Sequence, residues 1–473
     1  MSWSDRIQTA QRRPLLFAWA VFTLYGICAC AIAQLIVLPY ILPGIHAGHG
    51  LLAGGDFPGL HEIAIRMTSK IEREGWSAWE LLPGGHSAAG VAGAIYALTY
   101  PEPWVLIPFN AGMHALGGLI IMRLIQILTA NTPLSFWCAA LYVAFPSSLH
   151  WVSQIQKDST YFAGMLAVLL GLVALIHAAS KKAQLSEMAV ALGFLLLGFL
   201  LTGVARLYGF ELIRGAAGLI AVLIAPSIFL RWRTKDIPIG RLGMVAALVI
   251  TVVMAGKYLP HEKRIEVELP PVAAANASTQ PKPTFLDSSK AQNALELVFQ
   301  WQRNELLPDG VDHAIMRLAV ARRGWSGPSY ATAGSKIDTD VEFISARQFA
   351  QYFPRALQVG FLTPFPEHWF APGASPGGTI MRRVVGLEML ILYPILLVGL
   401  PLAAWRWRRR VEFWMIVTFC TPIIVAYTYV MPNMGALYRI RYGFLMCLAA
   451  IGLAAIWLNL QTWRANPKQT SAN

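Results

Sequence analysis

Four short polar stretches hold the groups best suited to chemistry. They are Gly54-Gly55-Asp56-Phe57-Pro58-Gly59-Leu60-His61-Glu62, Ser153-Gln154-Ile155-Gln156-Lys157-Asp158, Arg206-Leu207-Tyr208 and Tyr438-Arg439-Ile440-Arg441-Tyr442. Two carboxylates and several cations suit group transfer on a lipid phosphate. Arg and Lys can hold the phosphate and stabilise its departure, while a carboxylate takes the proton of an attacking hydroxyl. Asp56, framed by glycines that let backbone approach a ligand, is the candidate base, and its alternative role is to cap the helix that follows. Asp158 stands between catalysis or metal support and a salt bridge with Lys157. Lys157, Arg206, Tyr208, Arg439, Arg441 and His61 are the candidate substrate contacts. A divalent metal would take Asp56, His61 and Glu62, although adjacent residues such as His61 and Glu62 diverge on a helix.

What positions these groups is a largely apolar chain. Of 473 residues, 56% are hydrophobic and 13% charged, and the mean hydropathy is +0.51. Residues 14–38, 105–128, 134–152, 161–180, 189–204, 209–230, 242–255, 384–404, 413–430 and 442–460 are stretches that can cross hydrocarbon as helices, each satisfying its own backbone. The expected fold is an all-α polytopic membrane protein with about ten crossings. The first stretch is too long for a cleaved signal core and is read as an anchor. Cys28, Cys30, Cys138, Cys420 and Cys447 lie in apolar segments without metal-like spacing and are expected to pack. The net charge of +13 is distributed as a topology signal and for anionic headgroups, so no nucleic-acid partner is expected.

Lys and Arg in short loops mark the cytoplasmic side. Arg12/Arg13, Lys181/Lys182, Arg231/Arg233/Lys235, Arg406 to Arg410, and Arg464 with Lys468 agree on one side only if residues 87–100 do not cross, so this short stretch is expected to be interfacial or re-entrant. Both termini then face the cytoplasm, and all four polar stretches share the outer face.

The domain reading is a transmembrane catalytic module at 1–257 with a first outer loop at 39–104, an outer segment at 258–383, and C-terminal helices at 384–473. Within the outer segment, 270–283 reads as a linker. Residues 291–302, 312–322 and 343–361 have helical apolar spacing, and the proline-rich run 362–370 suits a rigid loop at the headgroups.

Gly55-Asp56 followed by His61 and Ala64 resembles the first-loop signature of the GT-C superfamily of polyprenyl-phosphate-dependent glycosyltransferases, which includes protein O-mannosyltransferases and lipid A aminoarabinose transferases. The similarity runs through Asn110 to Phe145-Pro146-Ser147 and Lys157-Asp158. Arg206-Leu207-Tyr208 looks like the Arg-x-Tyr of a later outer helix end. Residues 433–442 are similar to a motif of family-39-like membrane proteins from bacterial polysaccharide clusters. The chain departs in having one acidic residue where many relatives have an adjacent pair, and Leu60 where Tyr is common. The resemblance implies a multi-pass bacterial inner-membrane enzyme moving a sugar from a polyprenyl-phosphate donor to a glycan or lipid acceptor at the periplasmic face. Asp56 would be its base, and Arg206, Arg439 and Arg441 its phosphate contacts. Two alternatives stand beside it. One is an O-antigen-type polymerase or ligase using a pyrophosphate-linked glycan, favoured by Arg322/Arg323 and the size of the outer segment. The other is a flippase, which would need charged or broken helices at mid-membrane. The spans keep their charges toward their ends, apart from Glu388, which sits inside the eighth near its outer boundary.

Overall fold

Helices follow directly from the apolar stretches, because in hydrocarbon each must bond its own backbone. The computed structural model describes residues 14–180, 185–233, 301–326, 334–373 and 375–465. The expected crossing at 242–255, the linker at 270–283, nearly all of the helix at 291–302, and Arg12, Arg13, Lys181, Lys182, Lys235 and Lys468 lie outside them. The described residues form helices and turns, with β-pairing confined to isolated bridges.

In chain order the helices are α1 (Pro14–Ile32, continued by a π-helical turn Ala33–Ile41), α2 (Phe57–Glu74), α3 (Ser87–Leu98), α4 (Ile107–Thr129), α5 (Thr132–Ala144), α6 (Pro146–Val152), α7 (Asp158–Ser180), α8 (Leu185–Ala205) and α9 (Gly209–Arg233). Then come α10 (Asp309–Trp325), α11 (Ala346–Gln351), α12 (Phe353–Leu362), α13 (Pro376–Pro394), α14 (Leu400–Trp407), α15 (Val411–Val430) and α16 (Met434–Ala465).

Seven helical segments among the described residues are long and apolar enough to cross a membrane: Pro14–Ile41, Pro103–Thr129, Asp158–Ala178, Ser186–Ala205, Pro376–Trp407, Val411–Val430 and Met434–Arg464. The protein is therefore an all-α, multi-pass membrane protein. Two further expected crossings take other forms. Residues 134–152 divide into α5 and α6 at Phe145-Pro146, where proline supplies no N–H and holds the preceding residue extended. Residues 209–230 lie in α9, which is helical but is not one of the seven.

Local sequence sets several of these boundaries. Ala130 turns left-handed at φ 53° to end α4, and the Asn131 side chain accepts the Leu134 amide at 3.0 Å to start α5. Ser375 caps α13 by accepting the Gly378 amide at 3.1 Å. Helices α7 and α8 pack at very short range: a Cβ on Gly198 would lie 2.7 Å from the Gly164 carbonyl oxygen, so small residues let these backbones meet.

The first loop folds as a helical hairpin. α2 buries Phe57, His61, Ala64, Met67, Thr68 and Ile71, one stripe at helical spacing, and this stripe receives α3. Thr68 Oγ1 donates to the Gly93 carbonyl at 3.1 Å, and any side chain at Gly93 would collide with Met67. With 12 residues, α3 is about 18 Å long, short of the ~30 Å needed to cross.

Two buried arginines whose guanidinium groups bond backbone carbonyls fasten the outer segment to the spanning helices. Arg322 on α10 donates to the Val341 carbonyl at 3.0 Å, to Asp338 O, and to the Thr428 and Tyr429 carbonyls at the end of α15, 3.4 and 3.3 Å away. Arg441 on α16 donates to Val359 O at 2.9 Å and to Gly360 and Thr363, the last carbonyls of α12 and its cap. Helix C-termini leave carbonyls unpaired and carry partial negative charge, so a cation there meets both needs. Each carbonyl orphaned by Arg441→Leu costs about 1–3 kcal/mol, offset in part because a buried charge is removed. The variant is expected to unfold at a clearly lower temperature in detergent, with little rescue by Arg441→Lys, whose ammonium lacks the planar fork. An unchanged midpoint for Arg441→Leu would remove this fastening role.

The expected helix at 312–322 is α10. The one at 343–361 divides into α11 and α12 at Tyr352, before Pro354. Phe349 of α11 stacks on Tyr429 at 3.7 Å.

Contacts at the helix ends sort the loops by face. On one face Leu52 meets Gln154, Ser87 meets Ala205, and Arg439 meets Asp158. On the other, Arg410 bonds Glu412 and the Ile127 carbonyl, and His177 bonds Glu412 at 2.8 Å. The four polar stretches thus share one face, and the Arg406 to Arg410 cluster lies on the opposite one.

Candidate functional site

The turn carrying Asp158 is stitched to the first loop by amides. Asn110 Nδ2 on α4 donates to the Val152 and Gln154 carbonyls at 3.1 and 2.9 Å. The Gln154 side chain accepts the Leu52 amide at 3.0 Å and donates to the Gly50 carbonyl at 3.2 Å. Gln156 Oε1 accepts the amides of Asp158 and Ser159, turning the chain into α7. Buried loop backbone must be paired somewhere, and here side-chain amides pair it.

Asp158 is fully buried, and its two carboxylate oxygens are taken by guanidinium groups from separate helix ends, Arg206 after α8 and Arg439 on α16. Arg206 also donates to Tyr208 Oη at 2.8 Å and lies 5.5 Å from the Tyr161 ring centre. Tyr161 and Tyr427 share a hydroxyl hydrogen bond of 2.5 Å beneath. One buried acid between two arginines leaves net positive charge. Arg439 keeps a third of its side chain exposed and sits 5.7 Å from the ring centre of Phe57, at the start of α2.

Arg439 opens onto a cavity of about 350 Å³. Its walls are the first loop (Leu52 to Gly55 and Phe57), His150 and Trp151 of α6, the start of α16, and from the outer segment Gly334, Ser335, Pro364, His368 and the approach to α13. Spanning helices and outer segment each supply part of it.

The sequence candidates are distributed as follows. Asp158, Arg206, Tyr208 and Arg439 come together. Lys157 is half-buried beside them. Asp56 is exposed at the N-cap position of α2, between cavity-lining Gly55 and Phe57, and its side chain makes no capping hydrogen bond. The capping alternative thus lacks its bond. His61 is buried inside the hairpin, 3.0 Å from Tyr96 Oη and away from the cavity lining. Burial, and then the adjacent His49, lower its imidazole below the ordinary range. Glu62 points outward and pairs loosely with Arg66 at 3.8 Å. Among the described residues no group of three or more His, Cys, Asp or Glu is arranged to hold a metal ion. Arg441 is fully buried in its helix cap, and Arg322 likewise, so neither is offered to a ligand.

No family model, curated protein or solved structure matches the chain.

Sequence reasoning missed several contributors. Glu388 accepts the Ser147 amide at the start of α6 and the Tyr438 hydroxyl, both at 2.7 Å, so this buried acid of a spanning helix holds a cavity-lining tyrosine. Its signal was an acid in an apolar helix. Gln154, which ties the turn to the first loop, and Arg382, which lines the cavity from α13, carried no comparable signal, since an uncharged amide in a turn and an arginine at a helix end are both ordinary.

Proposed function

We propose that the protein is a GT-C-type membrane glycosyltransferase, moving a sugar from a polyprenyl-phosphate donor to a glycan or lipid acceptor at the periplasmic face of a bacterial inner membrane. The observation that carries this reading is the meeting of Arg439 with the glycine-flanked Asp56 loop at one cavity on the polar-loop face. In the proposed reaction the acceptor hydroxyl gives its proton to Asp56 as its oxygen bonds the anomeric carbon. The bond from that carbon to the phosphate oxygen breaks, and the departing lipid phosphate leaves with its charge held by Arg439, with Arg206 behind. The polyprenyl tail stays in lipid. Burial of Arg322 withdraws one of the two sequence features that favoured a polymerase.

The test is transfer by the purified protein in nanodiscs from radiolabelled polyprenyl-phosphate sugars to extracted glycan and lipid acceptors. Label appearing in product, and lost in Arg439→Ala more than in Arg439→Lys, is the expected result. Absence of transfer from every such donor, with farnesyl phosphate failing to bind, would overturn the reading.

Orientation has its own test. In a cysteine-free background, His86→Cys on the hairpin is expected to react with an impermeant maleimide in intact spheroplasts, and Arg409→Cys only after permeabilisation. The reverse pattern would place the cavity in the cytoplasm.

A further inference from the structure

Among the described residues the cavity wall carries two arginines, Arg439 and Arg382, and the nearest carboxylate of the first loop, Asp56, stands at its edge between the lining residues Gly55 and Phe57. The surroundings of the two arginines differ. Arg439 is partly neutralised from behind by Asp158, which it shares with Arg206. Arg382, on the second turn of α13, has no acidic partner among the described residues. Its guanidinium is held in place by two backbone carbonyls, Pro372 O at 2.7 Å and Gly334 O. Carbonyls orient a guanidinium but do not cancel its charge, so Arg382 is a fixed, uncompensated cation at the cavity wall. The wall around it is built from Gly373, Ser375, Gly377 and Gly378, small residues that leave room for a ligand group.

A lipid monophosphate held by Arg439 leaves Arg382 unanswered. Resting on the reading above, we propose that the substrate carries a second anionic group, received by Arg382, so that the cavity takes two anionic groups, one at each arginine. That group comes from one of two sources: the second phosphate of a lipid diphosphate, or the carboxylate of an acidic sugar. Both offer oxygens to the same guanidinium fork.

The experiment measures binding by the full-length protein in nanodiscs, using farnesyl phosphate, farnesyl diphosphate, and galacturonate or neutral galactose added with or without farnesyl phosphate. A charge-assisted contact at Arg382 is expected to make farnesyl diphosphate bind about ten-fold tighter than farnesyl phosphate, or galacturonate bind about ten-fold tighter than neutral galactose. Farnesyl diphosphate showing the gain identifies the lipid diphosphate, and galacturonate binding beside farnesyl phosphate identifies the acidic sugar. Arg382→Gln should abolish that gain while leaving farnesyl phosphate affinity in place, and Arg382→Lys should retain most of it. Arg439→Gln should instead weaken every farnesyl probe. A gain that survives Arg382→Gln, or no gain from either second-anion probe in the wild type, overturns the proposal. Failure of farnesyl phosphate itself to bind counts against the glycosyltransferase reading. Arg382-dependent binding of galacturonate would still uphold the anion site in that case.

Discussion

Asp158→Ala is expected to be the most damaging single substitution for stability, because it leaves Arg206 and Arg439 facing each other with no charge between them. Removing one partner of a buried ion pair costs about 3–5 kcal/mol, most of it the burden of the uncompensated charge. Both arginines retain some solvent, with side chains 17% and 33% exposed, which argues for the lower part of that range. Asp158→Asn should suffer nearly as much, since the amide keeps the shape and loses the charge. The double variant Asp158→Ala/Arg439→Gln should recover part of the loss, because one orphaned cation has gone, and coupling energies of about 0.5–3 kcal/mol are usual for such contacts. Thermal unfolding in detergent, followed for all three variants, is the measurement. If Asp158→Asn unfolds at the wild-type temperature and transfer is lost, Asp158 acts as the proton acceptor and the ion-pair role is wrong.

Asp56→Asn is expected to show the opposite behaviour: native stability with transfer slowed at least ~100-fold. General-base assistance is commonly worth ~10² to 10⁴ in rate, and Asn keeps the shape of Asp without accepting a proton. The fold has little reason to respond, since Asp56 is exposed and its carboxylate makes no capping bond to α2. Asn is in any case as good a cap as Asp. Donor affinity, which the proposed reaction assigns to Arg439, should be unchanged, so the effect falls on turnover. Near-native turnover in the folded variant would remove Asp56 from the reaction, and with it the first-loop part of the glycosyltransferase reading.

These two carboxylates looked alike in the sequence, each an acid in a polar turn, and their environments make them different. Asp158 begins an apolar helix and is closed over by two arginines 48 and 281 residues away. Asp56 follows two glycines and stays in solvent. Arg439 and Arg441 were an equally matched pair, two residues apart on one helix. They point to different neighbours because that spacing turns a helix by about 200°. One therefore reaches the cavity, and the other caps α12.

The sequence by itself determined what lipid enforces: helices with internally satisfied backbones, α3 too short to cross, and polar stretches confined to helix ends. It also suggested the gathering of those stretches on one face, because alternate crossings and the basic loops allow few arrangements. Only the tertiary structure decided which arginine meets Asp158, that Arg322 and Arg441 are spent on helix C-termini, and that His61 belongs to a hairpin interior. The same holds for Arg382, which shares a cavity with Arg439 though 57 residues separate them. The physical reason is that periodicity and hydropathy are properties of one segment, whereas pairing a buried charge depends on which other segment packs against it.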